Sequence, residues 1–196
     1  MSQKKILLLL AFFLTIPSFL QAAEPDPVIQ TIEKAIEEYK NQDFTNAASS
    51  LDYASQLIRQ KKGQALTKLL PAPLNGWTAK DGTSQVTAAS LFGGGLTAER
   101  TYKKDNSSVK ISIVTDSPLL QSMIMMFSNP MFASSMGQFE LINGHKGIVN
   151  FQNDQGDINI VVNNRFLVTL KGSQLSREEL MNYAKAIDLK AISSLP

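Results

Sequence analysis

The stretch INIVVNNRFLVTL, residues 158–170, decides the fold of this chain. Large apolar residues occupy every second position before and after Asn163-Asn164, which is typical of two strands that each bury one face. The asparagine pair separates these strands as turn residues do. The inward residues of the two strands are matched, namely Ile158, Ile160, Val162, Phe166, Val168 and Leu170. The stretch therefore predicts an antiparallel hairpin in a sheet with one buried face.

The same period of two continues outward from this hairpin. Asn143-Gly144, a preferred two-residue hairpin turn, separates strands at 139–142 and 145–151. Three earlier strands are predicted at 85–92, 96–103 and 108–115. One helix is predicted from Pro118 to the Asn129-Pro130 stop, and the capping box of Ser176 with Glu179 opens a last helix.

This order of elements predicts an α+β fold. Short connections imply antiparallel neighbours, so we expect a mainly antiparallel sheet of about seven strands with helices on one face. An N-terminal helical hairpin over residues 24–70 precedes the α+β domain of residues 71–196, with Pro71-Ala72-Pro73 at the boundary.

The hairpin prediction rests on apolar residues that recur every three to four positions. The first stripe contains Val28, Ile29, Ile32, Ala35, Ile36 and Tyr39, and the second contains Phe44, Ala47, Ala48, Leu51, Ala54, Leu57 and Ile58. The second helix is expected to end at Lys61-Lys62-Gly63, followed by a short third helix at 64–70. The pair resembles one tetratricopeptide-type unit, which cannot bury its own face. It therefore packs on the following domain or docks a partner.

The first 23 residues predict a secretory signal peptide. Lys4 and Lys5 precede the apolar run 6–14, and the small residues Ala22 and Ala23 end the segment. The run is shorter than the roughly 20 residues that a membrane span needs, so no transmembrane anchor is expected after cleavage. Cleavage after Ala22 or Ala23 and a periplasmic or secreted location follow.

Composition excludes several classes of protein. The 196 residues include no Cys and one His, which excludes disulfide scaffolds, thiolate zinc sites and Cys nucleophiles. Removing residues 1–23 takes away Lys4 and Lys5 and leaves equal numbers of basic and acidic side chains. No nucleic-acid partner is therefore expected.

Several short motifs together resemble a known group of proteins. Gly76-Trp77, 92–95, 100–102, 117–119 and 129–131 are similar to motifs of secreted bacterial proteins of unknown function, over about residues 70–190. The order of strands and helices also resembles PsbP-like domains, including the DcrB type. These resemblances imply a fold and bring no catalytic residue.

No catalytic motif is complete. Gly93-Gly94-Gly95 runs into a strand rather than a helix, which favours a turn over a phosphate loop. Ser107 and Lys110 match S-x-x-K without its companion motifs, and His145 lies in a hairpin turn without a nucleophile elbow. A carboxylate-based hydrolase remains an alternative, with the candidate acids Glu99, Asp116, Glu140 and Asp157.

The segment 117–136 is rich in methionine and has no charged residue. It contains Met123, Met125, Met126, Met131 and Met136. Thioether sulfur is a soft ligand for Cu(I), so copper binding is a second alternative beside packing or apolar contact. No cofactor is expected on the main interpretation.

The surplus apolar residues of this segment supply the functional hypothesis. Leu119, Leu120, Met123, Ile124 and Phe127 suffice for one covering stripe, so Met125, Met126, Met131 and Phe132 are left over. We hypothesise an exported, non-enzymatic module in which the hairpin and this segment meet and bind an envelope protein or apolar ligand.

Arg100 is the charged residue included among the binding candidates. It shares a strand face with Leu96, Ala98 and Tyr102, so it should point to the apolar side and find a carboxylate or carbonyl partners.

Overall fold

Consecutive antiparallel strands, joined by tight turns, build the framework of the molecule. The computed structural model describes residues 25–87, 95–129, 131 and 135–195. The elements in chain order are α1 (Pro27–Lys40), α2 (Phe44–Lys68), β1 (Thr78–Ala79), β2 (Thr83–Thr87), β3 (Gly95–Lys104), β4 (Ser107–Thr115), α3 (Pro118–Ser128), β5 (Gln138–Ile142), β6 (His145–Gln152), β7 (Gln155–Val162), β8 (Phe166–Ser173), α4 (Arg177–Ala186) and α5 (Leu189–Ser193). The predicted signal peptide, the glycine run 93–94 and Phe132 lie outside the described residues.

The strands form one antiparallel sheet in the order β1-β3-β4-β8-β7-β6-β5, and β2 also pairs with β3. The predicted hairpin of 158–170 is confirmed, with Ile158 opposite Leu170 and Val162 opposite Phe166. Asn163 and Asn164 both adopt left-handed backbone conformations, which match the right-handed twist of the paired strands. The α+β class and the N-terminal helical hairpin are confirmed.

The main core lies on one face of this sheet. Alternate residues of the central strands are fully buried there, including Ile111, Ile160 and Leu170. The C-terminal end of α2, together with α4 and α5, covers this face with Leu66, Leu180 and Ile192 among others. The predicted capping box of Ser176 and Glu179 opens α4, where the backbone N–H of Ser176 chiefly holds the pKa of Glu179 below its usual value.

Helix α3 packs on the other face of the sheet, which corrects the expectation that the helices share one face. Its buried residues Leu120 and Ile124 contact Leu167, with Val161 beside them. Leu167 and Val161 point away from the main core because neighbours along a strand alternate faces. The consecutive apolar residues Phe166-Leu167-Val168 bury both faces of β8, a pattern of a strand that is covered on two sides.

The second helix is longer than predicted. α2 continues through Gly63 to Lys68, so the expected break at Lys61-Lys62-Gly63 and the separate helix at 64–70 are wrong. Gly63 is buried, and a Cβ built there would lie 2.9 Å from the Cβ of Ser84. Glycine is required at this position because α2 approaches β2 closely, not because the helix ends.

Candidate functional site

The hairpin of α1 and α2 is held together by small residues. Ala35 of α1 and Ala47 and Ala54 of α2 are buried, and small side chains let two helices approach closely. Asp26 caps α1 by accepting a hydrogen bond from the N–H of Val28, at 2.9 Å. Asp43 caps α2 in the same way through the N–H of Asn46. The hairpin thus forms through local capping and through one stripe of small apolar residues.

Large apolar residues next to this stripe remain exposed. We define the apolar ridge as Ile29, Ile36, Tyr39, Phe44, Leu51 and Ile58, whose exposed fractions lie between 48% and 66%. Ile29 and Ile36 are seven positions apart, and the same spacing relates Phe44, Leu51 and Ile58. Each set therefore follows one line along its helix.

The two lines lie on the same side of the hairpin. The rings of Tyr39 and Phe44 meet edge to face at the loop end, with centroids 5.4 Å apart. The opposite side of the hairpin is polar: Lys34 pairs with Glu38, and Glu38 accepts a hydrogen bond from the hydroxyl of Ser50 at 2.7 Å. The hairpin therefore has one polar side and one apolar side, and nothing among the described residues covers the apolar side as a packed layer.

Two ion pairs and one packed contact fix the base of the hairpin. Lys61 of α2 pairs with Asp26 before α1, and this hydrogen bond is the main cause that lowers the pKa of Asp26. Lys62 pairs with Asp116 at 2.6 Å. Leu66, which is fully buried, joins the main core and anchors the C-terminal end of α2 on the sheet. The opposite end of the hairpin is the loop at 41–43.

The segment 117–136 lies on the face of the sheet opposite to the main core. Among the described residues, α2 packs in the main core and α3 packs on the second face, so the expected packed junction with the hairpin is not seen among them. The Lys62–Asp116 pair links the two at the start of the segment. The physical reason is that β7 and β8 offer apolar residues on both faces, so α3 has its own surface to cover.

The candidate residues of this segment are exposed where they are described. Met125 and Met126 point outward from α3, and Met131 is 80% exposed. Phe139 and Leu141 of β5 are also exposed, on the face that carries α3. These two residues were not among the predicted site residues, although the alternation in 138–142 places them on the face opposite to Ile142.

Arg100 lies on the core side of β3, as predicted, with carbonyl partners. Its guanidinium donates to the carbonyl oxygens of Leu70 at 3.3 Å and Pro71 at 3.1 Å. The hydroxyl of Tyr102 donates to the same oxygen of Pro71 at 2.7 Å. These bonds hold the chain that leaves α2, where a cation is favourable near the helix C-terminus. Its contacts make Arg100 an anchor of the linker.

The four candidate acids are dispersed and have polar partners. Glu99 pairs with Lys110 at 2.7 Å, and Asp116 pairs with Lys62. Glu140 pairs with Arg177, and Asp157 accepts a hydrogen bond from Asn159 at 2.9 Å. Glu99 on β3 and Asp157 on β7 are separated by two strands, hence by about 14 Å at the usual strand spacing. A glycosidase-like pair would be closer than that.

A metal site, a polar cleft and a membrane span each place different requirements on the described surface. Within the described part of the chain, no group of three or more His, Cys, Asp or Glu side chains is placed to hold a metal ion. An open polar cleft of about 640 Å³ lies at the β6–β7 turn, lined by Asn150, Asp154, Asp157 and Lys171 among others. Among the described helices, none is both long and apolar enough to span a membrane.

Comparison of the chain with family models, curated proteins and solved structures gives no match. The resemblance to secreted bacterial proteins and to PsbP-like domains therefore stays a prediction. Two apolar surfaces are exposed in the part of the chain that the structure describes, the ridge on the hairpin and the methionines around α3.

Proposed function

We propose that this protein is an exported, non-enzymatic interaction module that binds an envelope protein or an apolar ligand. The observation that supports the proposal is the apolar ridge, because six large apolar side chains exposed on one side of a hairpin form a larger patch than a soluble surface usually leaves open. The exposed Met125, Met126 and Met131 supply a second contact surface, and flexible thioether side chains adapt to varied partners.

Export is the first prediction that follows. The chain found in the periplasm or medium is expected to begin at Ala23 or Glu24, because Ala22 and Ala23 are the small residues before the acidic start of the remaining chain. Intact-mass measurement of the exported chain checks this expectation. Recovery of a chain that keeps residues 1–23 from the same fraction would contradict it.

Contact through the two surfaces is the second prediction. A benzophenone side chain placed at Leu51 on the ridge, or at Met125 on α3, is expected to give a covalent adduct on irradiation in the native envelope. Tyr53 is the matched control, since it is also a large exposed side chain of α2 but borders the polar side of the hairpin. Adduct formation is read by mass on a denaturing gel.

The identity of each adduct separates the outcomes. Adducts at positions 51 and 125 but not at 53 support an interaction module. The absence of any adduct at both positions, with the protein abundant and folded, would overturn the proposed function.

A further inference from the structure

We infer that the apolar ridge is the interface with a second copy of this chain, so that two hairpins pack face to face as a four-helix bundle. This inference rests on the proposed function and names the occupant of the hairpin surface. It depends on three observations: the spacing of apolar residues in both helices, the area of the ridge and the charge balance of the hairpin.

The apolar residues of both helices follow the alternating three-and-four spacing of bundle cores. In α1 the positions are Val28, Ile32, Ala35 and Tyr39, and in α2 they are Phe44, Ala47, Leu51, Ala54 and Ile58. Within this pattern the small residues Ala35, Ala47 and Ala54 are buried between the two helices. The large residues Tyr39, Phe44, Leu51 and Ile58 stay exposed beside them.

The division into buried small residues and exposed large residues is the one expected for half of a four-helix bundle. In such bundles each helix packs one flank on its hairpin neighbour and turns the other toward the opposite pair of helices. In this chain α1 and α2 pack on each other. The flank that would face an opposite pair of helices has no partner among the described residues. A second copy supplies two helices with the same spacing, and a two-fold axis makes one surface complementary to itself.

The area of the ridge is sufficient for a stable dimer. Its six side chains expose roughly 700 Å² in each copy, close to the about 800 Å² that each partner buries in an interface of standard size. A single docked helix from another protein would lie in one groove and leave part of a ridge that spans two helices exposed. The width of the ridge therefore favours a two-helix partner.

The charge of the hairpin permits self-association. Residues 26–70 contain six Lys and Arg and six Asp and Glu side chains. A hairpin with a large charge of one sign would repel its own copy, whereas this one carries no net charge. Among the described residues, the hairpin meets the sheet through the C-terminal end of α2, so its loop end lies away from that contact and can overlap with another hairpin.

The test is the oligomeric state of the chain as purified from the cell envelope. Sedimentation equilibrium is expected to give twice the mass of one chain. Leu51→Asp is expected to raise the dissociation constant at least about 100-fold, because it buries a carboxylate without a partner in the centre of the interface. Tyr53→Asp, on the same helix, is the matched control and should remain dimeric.

Circular dichroism separates loss of association from loss of folding. Leu51 is exposed in the single chain, so Leu51→Asp should keep the native spectrum. If that variant unfolds, a spin label at Gln56→Cys tests the unmodified ridge, since the chain has no other cysteine. A dipolar coupling between copies is then expected.

Each contrary result has a distinct meaning. A single-chain mass at every concentration, an unchanged mass for Leu51→Asp, or no coupling between labels would overturn the second-copy inference. If a light-induced adduct at position 51 then contains a different protein, the interaction function stands while the dimer falls. If neither an adduct nor a dimer is found, both proposals fall.

Discussion

Replacing Tyr102 with alanine is expected to lower the free energy of unfolding by about 3–5 kcal/mol, the usual cost of removing a fully buried aromatic side chain. Tyr102 is fully buried, and its ring lies 4.6 Å from that of Tyr183 on α4. Its hydroxyl donates to the carbonyl oxygen of Pro71, in the chain that leaves α2. One side chain therefore joins β3, α4 and the base of the hairpin. Urea unfolding followed by circular dichroism measures the loss.

The variant Tyr102→Phe separates the hydroxyl from the ring. It should cost about 1–2 kcal/mol, because a single hydrogen bond is removed and Pro71 keeps its bond from Arg100. Burial raises the pKa of Tyr102 to about 12, so the hydroxyl stays protonated and able to donate at neutral pH. The exposed Tyr53→Ala is the control and should shift stability by less than about 0.5 kcal/mol. Similar losses for Tyr53→Ala and Tyr102→Ala would refute this role of Tyr102.

The parts of the fold that local chemistry determines were predictable from the sequence. Asn143-Gly144 and Asn163-Asn164 adopt the left-handed conformations that tight hairpins need, and the strands beside them alternate with period two. The capping box of Ser176 and Glu179 likewise depends on residues three positions apart. In each case the contacts that determine the local conformation join residues only a few positions apart. A short stretch of sequence is therefore enough to predict them.

The position of α3 and the length of α2 depend on contacts that are distant in sequence. Leu167 contacts α3 on the second face, and Ser84 lies so close to α2 that position 63 needs a glycine. Neither contact can be predicted from a local sequence pattern. A glycine after two lysines is also a common helix end, and in this chain close packing against β2 outweighs that signal. Sequence periodicity identifies a helix without identifying the surface against which it packs.

The same limit applies to the candidate site. The apolar stripes of the hairpin include both the residues buried between α1 and α2 and the residues left on the ridge. Whether a given residue of a stripe is buried depends on how many other helices pack against α1 and α2. Residue size supplies a usable signal, because Ala35, Ala47 and Ala54 are small enough for close approach while Leu51 and Ile58 are not.

Replacing Gly63 with leucine is expected to cost about 3 kcal/mol and to loosen the attachment of the hairpin to the sheet. A Cβ at this position would lie 2.9 Å from both the Cβ and the hydroxyl oxygen of Ser84, and 3.2 Å from a methyl group of Leu96. A longer side chain has no space there, and overpacking a tight contact strains both elements. The midpoint of urea unfolding measures the cost, with Gln56→Leu at an exposed site of α2 as the control.

A smaller substitution tests whether the contact with Ser84 is the cause. Gly63→Ala gains about 1 kcal/mol of helix propensity, which offsets part of the strain against Ser84. Combining it with Ser84→Gly removes the nearest two atoms, so the double variant should be more stable than the sum of the single changes predicts. Strict additivity would show that Ser84 does not restrict residue 63. The restriction on residue 63 would then have to come from the methyl group of Leu96, which lies 3.2 Å from the same Cβ position.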